Sequence, residues 1–279
     1  MVQASSGYYR NYYMRDPLND QFYTKPEIAK ECCSFIDLER YSSILEPSAG
    51  EGVFLDFLPS YAEGLDIDPK RDDIKQVDFF DYKGSAKLVI GNPPFGKVSS
   101  LAIKFFNHAA AFADTIAFII PRTFRRVSVQ NKLDLNFSLV LDHEIPTGSF
   151  IPTSMKAKCC FQVWELGTKR EKVELPLTHP DFKVMSHVMV SGVPVAPEGA
   201  DFAIRAYGSN IGQISFDIEE LAPKSWHFIT LENESLLDRF ESLDYYPLAS
   251  WTARQDSIGK ADLIYLYTQK YGRSPVNSS

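Results

Sequence analysis

Short apolar runs separated by stretches of helical periodicity organise the chain as far as about Leu166. Ser43–Leu45, Glu63–Ile67, Lys87–Ile90, Thr115–Ile120, Leu139–His143 and Cys159–Leu166 read as strands. Apolar residues recur at helical spacing over Gly52–Leu58, Ser100–Phe112 and Thr123–Leu133. Upstream, Ile28, Cys32, Phe35 and Ile36 give one apolar face to a helix capped near Thr24 or Lys25, with Pro26 in its first turn. Alternation of strand and helix implies crossover connections and a mostly parallel sheet. The last two strands are joined only by the turn-rich "IPTGSFIPTSMKAK", so they can pair antiparallel at one edge.

Beyond Leu166 the pattern changes. "GTKREKVELPLTHPDF" is charged, contains proline and reads as a linker. Strands follow near Phe182–Val190, Phe202–Tyr207 and His227–Ile229, then helices at Ser235–Phe240 and Gly259–Tyr271. The expected organisation is an N-terminal segment over 1–20, an α/β domain over 21–168 and a smaller α+β region over 169–279. No internal repeat or low-complexity tract is present.

Composition narrows the class. Of 279 residues 44% are hydrophobic, enough for a packed core and unlike a disordered chain. With 29 basic against 36 acidic residues the net charge is −7, which argues against a protein coated in nucleic acid while leaving room for a local basic cleft. The four cysteines form two adjacent pairs, Cys32-Cys33 and Cys159-Cys160. Adjacent pairs lack the spacing of zinc ligands, so no metal is expected and buried free thiols are the reading, with a reducing, cytoplasmic or nuclear compartment. No apolar run is long enough for a membrane span, and the first residues lack the apolar core of a signal peptide.

Four stretches carry the chemistry. "LEPSAGEG" (Leu45–Gly52) ends the first strand in small residues that let a ligand approach the backbone, with the N–H groups of the next helix expected there. "GLDIDP" places Asp66 where a carboxylate can accept hydrogen bonds from both ribose hydroxyls of a nucleoside-type cofactor. In "VDFFDY", Asp78 can accept from an adenine amino group while Phe79 flanks the ring. "VIGNPPFG" then stops a strand with two prolines, each fixing its own backbone and lacking an N–H.

In this order the four stretches resemble class I S-adenosyl-L-methionine-dependent methyltransferases acting on exocyclic amino groups, above all the adenine-N6 enzymes. Asn-Pro-Pro-aromatic occurs in DNA adenine-N6 enzymes and in those acting on ribosomal RNA and mRNA caps. "FYTKPEIA" (Phe22–Ala29) is similar to the N-terminal cofactor motif of the DNA group, with Lys25 intervening before Pro26. The likeness covers Gln21 to Leu166. It implies a Rossmann-like, seven-stranded class I methyltransferase sheet with a smaller C-terminal α+β region. It also implies cofactor contacts from Tyr23, Thr24, Glu46, Pro47, Ser48, Ala49, Gly50, Gly52, Asp66, Ile67, Asp78 and Phe79, and a catalytic loop of Asn92, Pro93, Pro94 and Phe95.

That loop suits the reaction. An adenine N6 amine is a poor nucleophile because its lone pair is delocalised into the ring. Asn92 Oδ1 and the Pro93 carbonyl are acceptors that favour a more tetrahedral nitrogen, and the prolines hold them in place. Phe95 can stack on a base that has left its helix or arrives single-stranded.

Arg122, Arg125, Arg126 and Lys132 follow the fifth strand at the same sheet edge, as phosphate contacts or as a solvated helix face. Lys156 and Lys158 are lesser additions, and Phe124 reads as core. "FAIRAYGSNIGQ" (Phe202–Gln213) is a candidate sequence-reading surface, with a structural hairpin as the competing reading. The expected partner is DNA or RNA, with DNA slightly favoured, no membrane, and room for an activating protein partner. The alternatives are RNA adenine-N6, guanine-N2 or protein glutamine-N5 methylation, or a non-catalytic partner subunit.

Overall fold

In the computed structural model, which describes residues 22–151 and 157–273, the apolar runs pair into one seven-stranded sheet. In chain order its strands are β2 (Ile44–Glu46), β3 (Glu63–Asp66), β4 (Lys75–Gln76), β5 (Leu88–Gly91), β6 (Thr115–Pro121), β7 (Phe137–Ile145) and β9 (Cys159–Leu166). Two short strands outside it, β1 (Tyr23–Thr24) and β8 (Phe150–Ile151), pair antiparallel with each other. The spatial order is β4-β3-β2-β5-β6-β9-β7. The first five strands are parallel, and β9 runs antiparallel between β6 and β7. A parallel doubly wound sheet with one reversed strand inserted next to the edge is the class I methyltransferase sheet. The expected antiparallel pair is present, with β7 at the edge and β9 inside.

Burial explains the pattern. Strands β2, β5, β6 and β9 read as near-continuous apolar runs because both faces are covered. Alternation then sends Ile116, Phe118 and Ile120 to one core and Ala117 and Ile119 to the other. On the first face lies α2 (Ser100–Ala109), through Leu101, Phe105 and Phe106. On the second lies α1 (Pro26–Ser34), through Ile28, Ala29, Cys32 and Cys33. Phe124 is core, as read. All four cysteines are buried free thiols, and burial pushes those of Cys33 and Cys159 up to about 12.

Two expected helices differ. Gly52–Leu58 forms turns and a single 3-10 turn at Leu55–Phe57. Gly52 takes φ +76°, and Pro59 pushes Leu58 to an extended ψ of 158°, leaving too few residues to repay helix nucleation. No α-helix N-terminus therefore follows the glycine loop. Thr123–Leu133 yields a 3-10 turn at Arg122–Arg125 and a short helix, α3 (Val127–Gln130). Thr123, Val127 and Val129 are β-branched and weaken a longer one.

The described chain divides into two compact units. The first holds residues through Phe124 and Val129–Lys172; the second holds Arg125–Ser128 and Val173 onward. The expected segment 1–20 lies outside the described residues. The second unit has its own sheet of β10 (Phe182–Met185), β13 (Phe202–Arg205), β14 (Ile214–Ser215) and β15 (Trp226–Leu231), in the order β10-β15-β13-β14, all antiparallel. The expected strand Phe182–Val190 is broken. Its second half, β11 (Val188–Val190), turns at Ser191-Gly192 into a separate hairpin with β12 (Val193–Val195). Helices α4 (Leu237–Glu241), α5 (Tyr246–Ser250) and α6 (Lys260–Tyr271) complete the unit, whose core centres on Phe182, Phe202, Phe240 and Tyr267. "FAIRAYGSNIGQ" is the first strand and turn of the β13–β14 hairpin. Among the described residues no helix is long and apolar enough to cross a membrane.

Candidate active site

The sheet reverses direction of growth between β2 and β5. From β2 the chain adds β3 and β4 on one side, then returns to lay β5 on the other. In such sheets the crevice beyond the carboxyl ends of the two central strands takes the ligand. "EPSAGEG" leaves β2 there and "NPPFG" leaves β5 there, so the two stretches singled out in the sequence meet at one place.

The glycine loop is held from several sides. Gly50 takes φ +53° and Gly52 φ +76°, conformations natural to glycine. Asp66, at the end of β3, accepts from the Gly50 N–H at 2.8 Å and from the Asp68 N–H at 2.8 Å. Each carboxylate oxygen keeps a second lone pair. Arg71 was not anticipated. Its guanidinium donates to Gly52 O (3.0 Å), Asp56 Oδ1 (2.6 Å) and Asp73 Oδ2 (2.6 Å), so it clamps the loop from outside. Only its place five residues after Asp66 hinted at this. The Tyr23 ring covers Gly50, where an added Cβ would lie 3.2 Å from Tyr23 Cε1.

Glu46, the last residue of β2, is 2% exposed, and its Oε2 is buried with no hydrogen-bond partner. Burial holds its carboxyl well above the usual range, reinforced by the Asp66 and Asp56 carboxylates and opposed by the Leu55 N–H and by Arg71. Further along the edge, Asp78 accepts from the Phe80 N–H at 3.0 Å. Phe79 is 2% exposed, its ring enclosed by Phe80, Phe105, His108 and Phe112. The expectation that its ring flanks an adenine meets a core residue instead. Ile67, 41% exposed, is the apolar side chain left open beside Asp66.

On β5, Gly91 passes so close to Glu46 that an added Cβ would lie 3.2 Å from Glu46 Cγ. Ser48 Oγ donates to the Asn92 carbonyl at 3.3 Å, linking the two loops. The Asn92 Nδ2 group donates to the Phe22 carbonyl (3.2 Å) and to Thr24 Oγ1 (3.1 Å), while its Oδ1 is buried without a partner. Pro93 is buried, and Pro94 and Phe95 are half-buried. Phe95 packs against the α1-side core, and its carbonyl accepts the first N–H groups of α2, from Leu101 (3.1 Å) and Ala102 (3.2 Å).

The basic residues fare unevenly. Arg122 pairs with Glu144 at 2.5 Å. Arg126 is taken by the second unit, where it donates to Trp251 O (2.6 Å), Ser257 O (2.7 Å) and Asp262 Oδ2 (3.0 Å), so its guanidinium is structural and not presented to phosphate. Arg125 also falls in that unit. Lys132 is exposed, and Lys156 lies outside the described residues.

No family model matches the chain, and no curated protein matches it. Solved structures similar to it include a Pyrococcus horikoshii protein assigned as an RNA methyltransferase, 18% identical, with a TM-score of 0.41 over 53% of this chain and 89% of that one. The 23S rRNA methyltransferase ErmE is 14% identical, with a TM-score of 0.41 over 55% and 72%. The modification subunit of a Vibrio vulnificus protein assigned as a type I restriction enzyme is 14% identical, with a TM-score of 0.44. It covers 92% of this chain, which spans 62% of that one. The fold class rests on the strand order above.

Proposed function

We propose that the chain is a methyltransferase that moves a methyl group from S-adenosyl-L-methionine to the N6 amino group of adenine in nucleic acid. The observation that carries this reading is the Asn92 amide. Both of its donors are spent on Phe22 and Thr24, and its one acceptor is unpartnered at the end of β5.

The crevice fits the cofactor in its own atoms. The buried, unpartnered Glu46 Oε2 calls for a donor, and the left-handed Gly50 and Gly52 make the tight turn that Tyr23 and Arg71 pack against. Glu46 and Pro47–Gly52 would hold the methionine part beneath Tyr23, Asp66 the ribose, and Asp78 with Ile67 the adenine. The cofactor supplies an electrophilic methyl group carried on a sulfonium sulfur. The chain orients the amine: Asn92 Oδ1 and the Pro93 carbonyl would accept hydrogen bonds from its two N–H groups, which draws the nitrogen towards tetrahedral geometry and its lone pair out of conjugation with the ring. Pro93 and Pro94 fix those acceptors before the base arrives, so little reorganisation is left for the reaction. Phe95 stacks on the extruded or single-stranded base.

The experiment is incubation with labelled cofactor and separate DNA and RNA pools, followed by mass spectrometry of the nucleosides. N6-methyladenosine or its deoxy form is expected, and the label names the polymer; label on guanine N2, or none on either pool, sinks the reading. The Phe22–Ala29 likeness favours DNA.

A further inference from the structure

We propose that Thr24 is a positioning residue for Asn92: its hydroxyl, with the Phe22 carbonyl, locks the catalytic carboxamide with Oδ1 presented as an acceptor. This rests on the reading of Asn92 given above. A carboxamide can turn half a revolution about its last torsion and exchange donor for acceptor at little intrinsic cost. At Asn92 that exchange would replace the unpartnered Oδ1 with an amino group, which cannot accept from an adenine amine. The Phe22 carbonyl opposes it, and the Thr24 hydroxyl holds the group in place. The Phe22 carbonyl has only lone pairs and accepts from Nδ2 at 3.2 Å. Thr24 Oγ1 accepts from the same nitrogen at 3.1 Å; a hydroxyl can also donate, so this bond fixes the position of the carboxamide while the Phe22 carbonyl fixes its sense. With both protons of Nδ2 held, the orientation of the amide is fixed before any base is present.

Thr24 is itself immobilised. It is 4% exposed, and its strand β1 is pinned by β8. Thr24 pairs with Phe150 and Tyr23 with Ile151 across β8, and the Lys25 N–H donates to Ser149 O at 3.0 Å. Pro26 then starts α1, whose buried face anchors the segment in the core. The family likeness puts Thr24 at the cofactor; the observed bond puts its hydroxyl on the catalytic side chain.

The test compares Thr24→Val, which keeps the shape and removes the hydroxyl, with Thr24→Ser, which keeps the hydroxyl. Two readouts are used on the full chain. One is the pair of Asn92 side-chain N–H resonances in 15N NMR, assigned by their loss in Asn92→Ala. The other is methyl transfer, with cofactor affinity measured separately by calorimetry. Thr24→Val is expected to shift the Asn92 resonances and lower kcat about ten-fold, the effect of one lost hydrogen bond. KM for the oligonucleotide and cofactor affinity are expected to stay near wild type, and Thr24→Ser to restore both signals and rate. Unmoved resonances in Thr24→Val overturn the proposal whatever the activity, as does an unchanged kcat. A wild-type protein that transfers no methyl group to adenine overturns the functional reading instead, and shifted resonances would still support the placement of the amide by Thr24.

Discussion

At Asn92, the hydrogen bonds say more than the motif. Asn-Pro-Pro-Phe identifies a stiff strand ending with an amide, but not which end of the amide faces the crevice. The structure assigns both donors and leaves Oδ1 unpartnered. Asn92→Ala is therefore expected to abolish methyl transfer, checked with labelled cofactor. Calorimetry should find cofactor affinity within a few-fold of wild type, because Glu46, Gly50 and Asp66 are untouched. Glu46 gives a second residue-scale prediction. Its folded pKa is raised, so the folded protein holds a proton that the unfolded chain releases above its ordinary glutamate pKa. Its contribution to stability is complete below that pKa and falls as pH rises, by up to about 1.4 kcal/mol per unit, until the raised pKa is passed. Glu46→Gln should flatten this fall. Thermal melts from pH 5 to pH 8 should show the variant gaining on wild type as pH rises, and parallel curves would remove the assignment.

Elements were legible where burial on two faces left no choice of pattern. Four of the five parallel strands, and β9, were read within a few residues because short runs with buried apolar residues between turn signals admit little else. Missed elements were short or polar. Neither β4, two exposed residues at the sheet edge, nor β1 and β8, two residues each, has enough positions to show a period. Gly52–Leu58 looked helical because its residues are apolar, yet Gly52 and Pro59 bracket too short a span. In the site, Asp66 and the glycine loop were legible from residue type. Arg71 and the Thr24 bond to Asn92 were not, because each depends on a contact across the fold. One feature between elements has no sequence signature at all. After Gly96 at φ +67°, Val98 (φ 53°, ψ 40°) and Ser99 (φ 60°) are both left-handed, a genuine outlier for a β-branched residue. Ser99 Oγ bonds Thr123 Oγ1 at 2.7 Å, while Val98 is 81% exposed and gains no packing in return. Such strain costs about 1–2 kcal/mol and collects at functional loops. Val98→Gly should raise stability by about 1 kcal/mol after the entropy of glycine is counted, read as a higher urea midpoint. Methyl transfer is expected to fall at the same time, since the strained turn joins Phe95 to α2.

Charge is a property of the whole molecule, and it bears on how a polyanion would be met. Over Val173–Ser279 the chain carries 14 Asp and Glu against 8 Lys and Arg, whereas residues 1–172 carry 22 against 21. The acidic excess thus lies almost wholly in the C-terminal part, the part expected to read the target. Arg205, the basic residue singled out there, stacks on Trp226 and donates to its neighbour Tyr207 O. In the first part, Arg122 is paired with Glu144, and the Arg126 guanidinium is committed inside the second unit. Phosphate contacts release counterions, and each contributes nearly one unit to the salt slope of binding. On the proposed function, orientation of the base by Asn92 and Phe95 then carries more of the binding than backbone neutralisation does. The slope of log affinity against log salt for an adenine-containing oligonucleotide should be shallow, about 3 or less in magnitude, against the roughly 5–9 of proteins that grip 6–10 phosphates. Fluorescence anisotropy across a salt series measures it directly. Lys132→Ala should reduce the slope by about one unit and leave kcat unchanged, because an exposed lysine that meets phosphate adds affinity without touching the amine. A steep slope insensitive to Lys132 would place the phosphate contacts elsewhere on the chain.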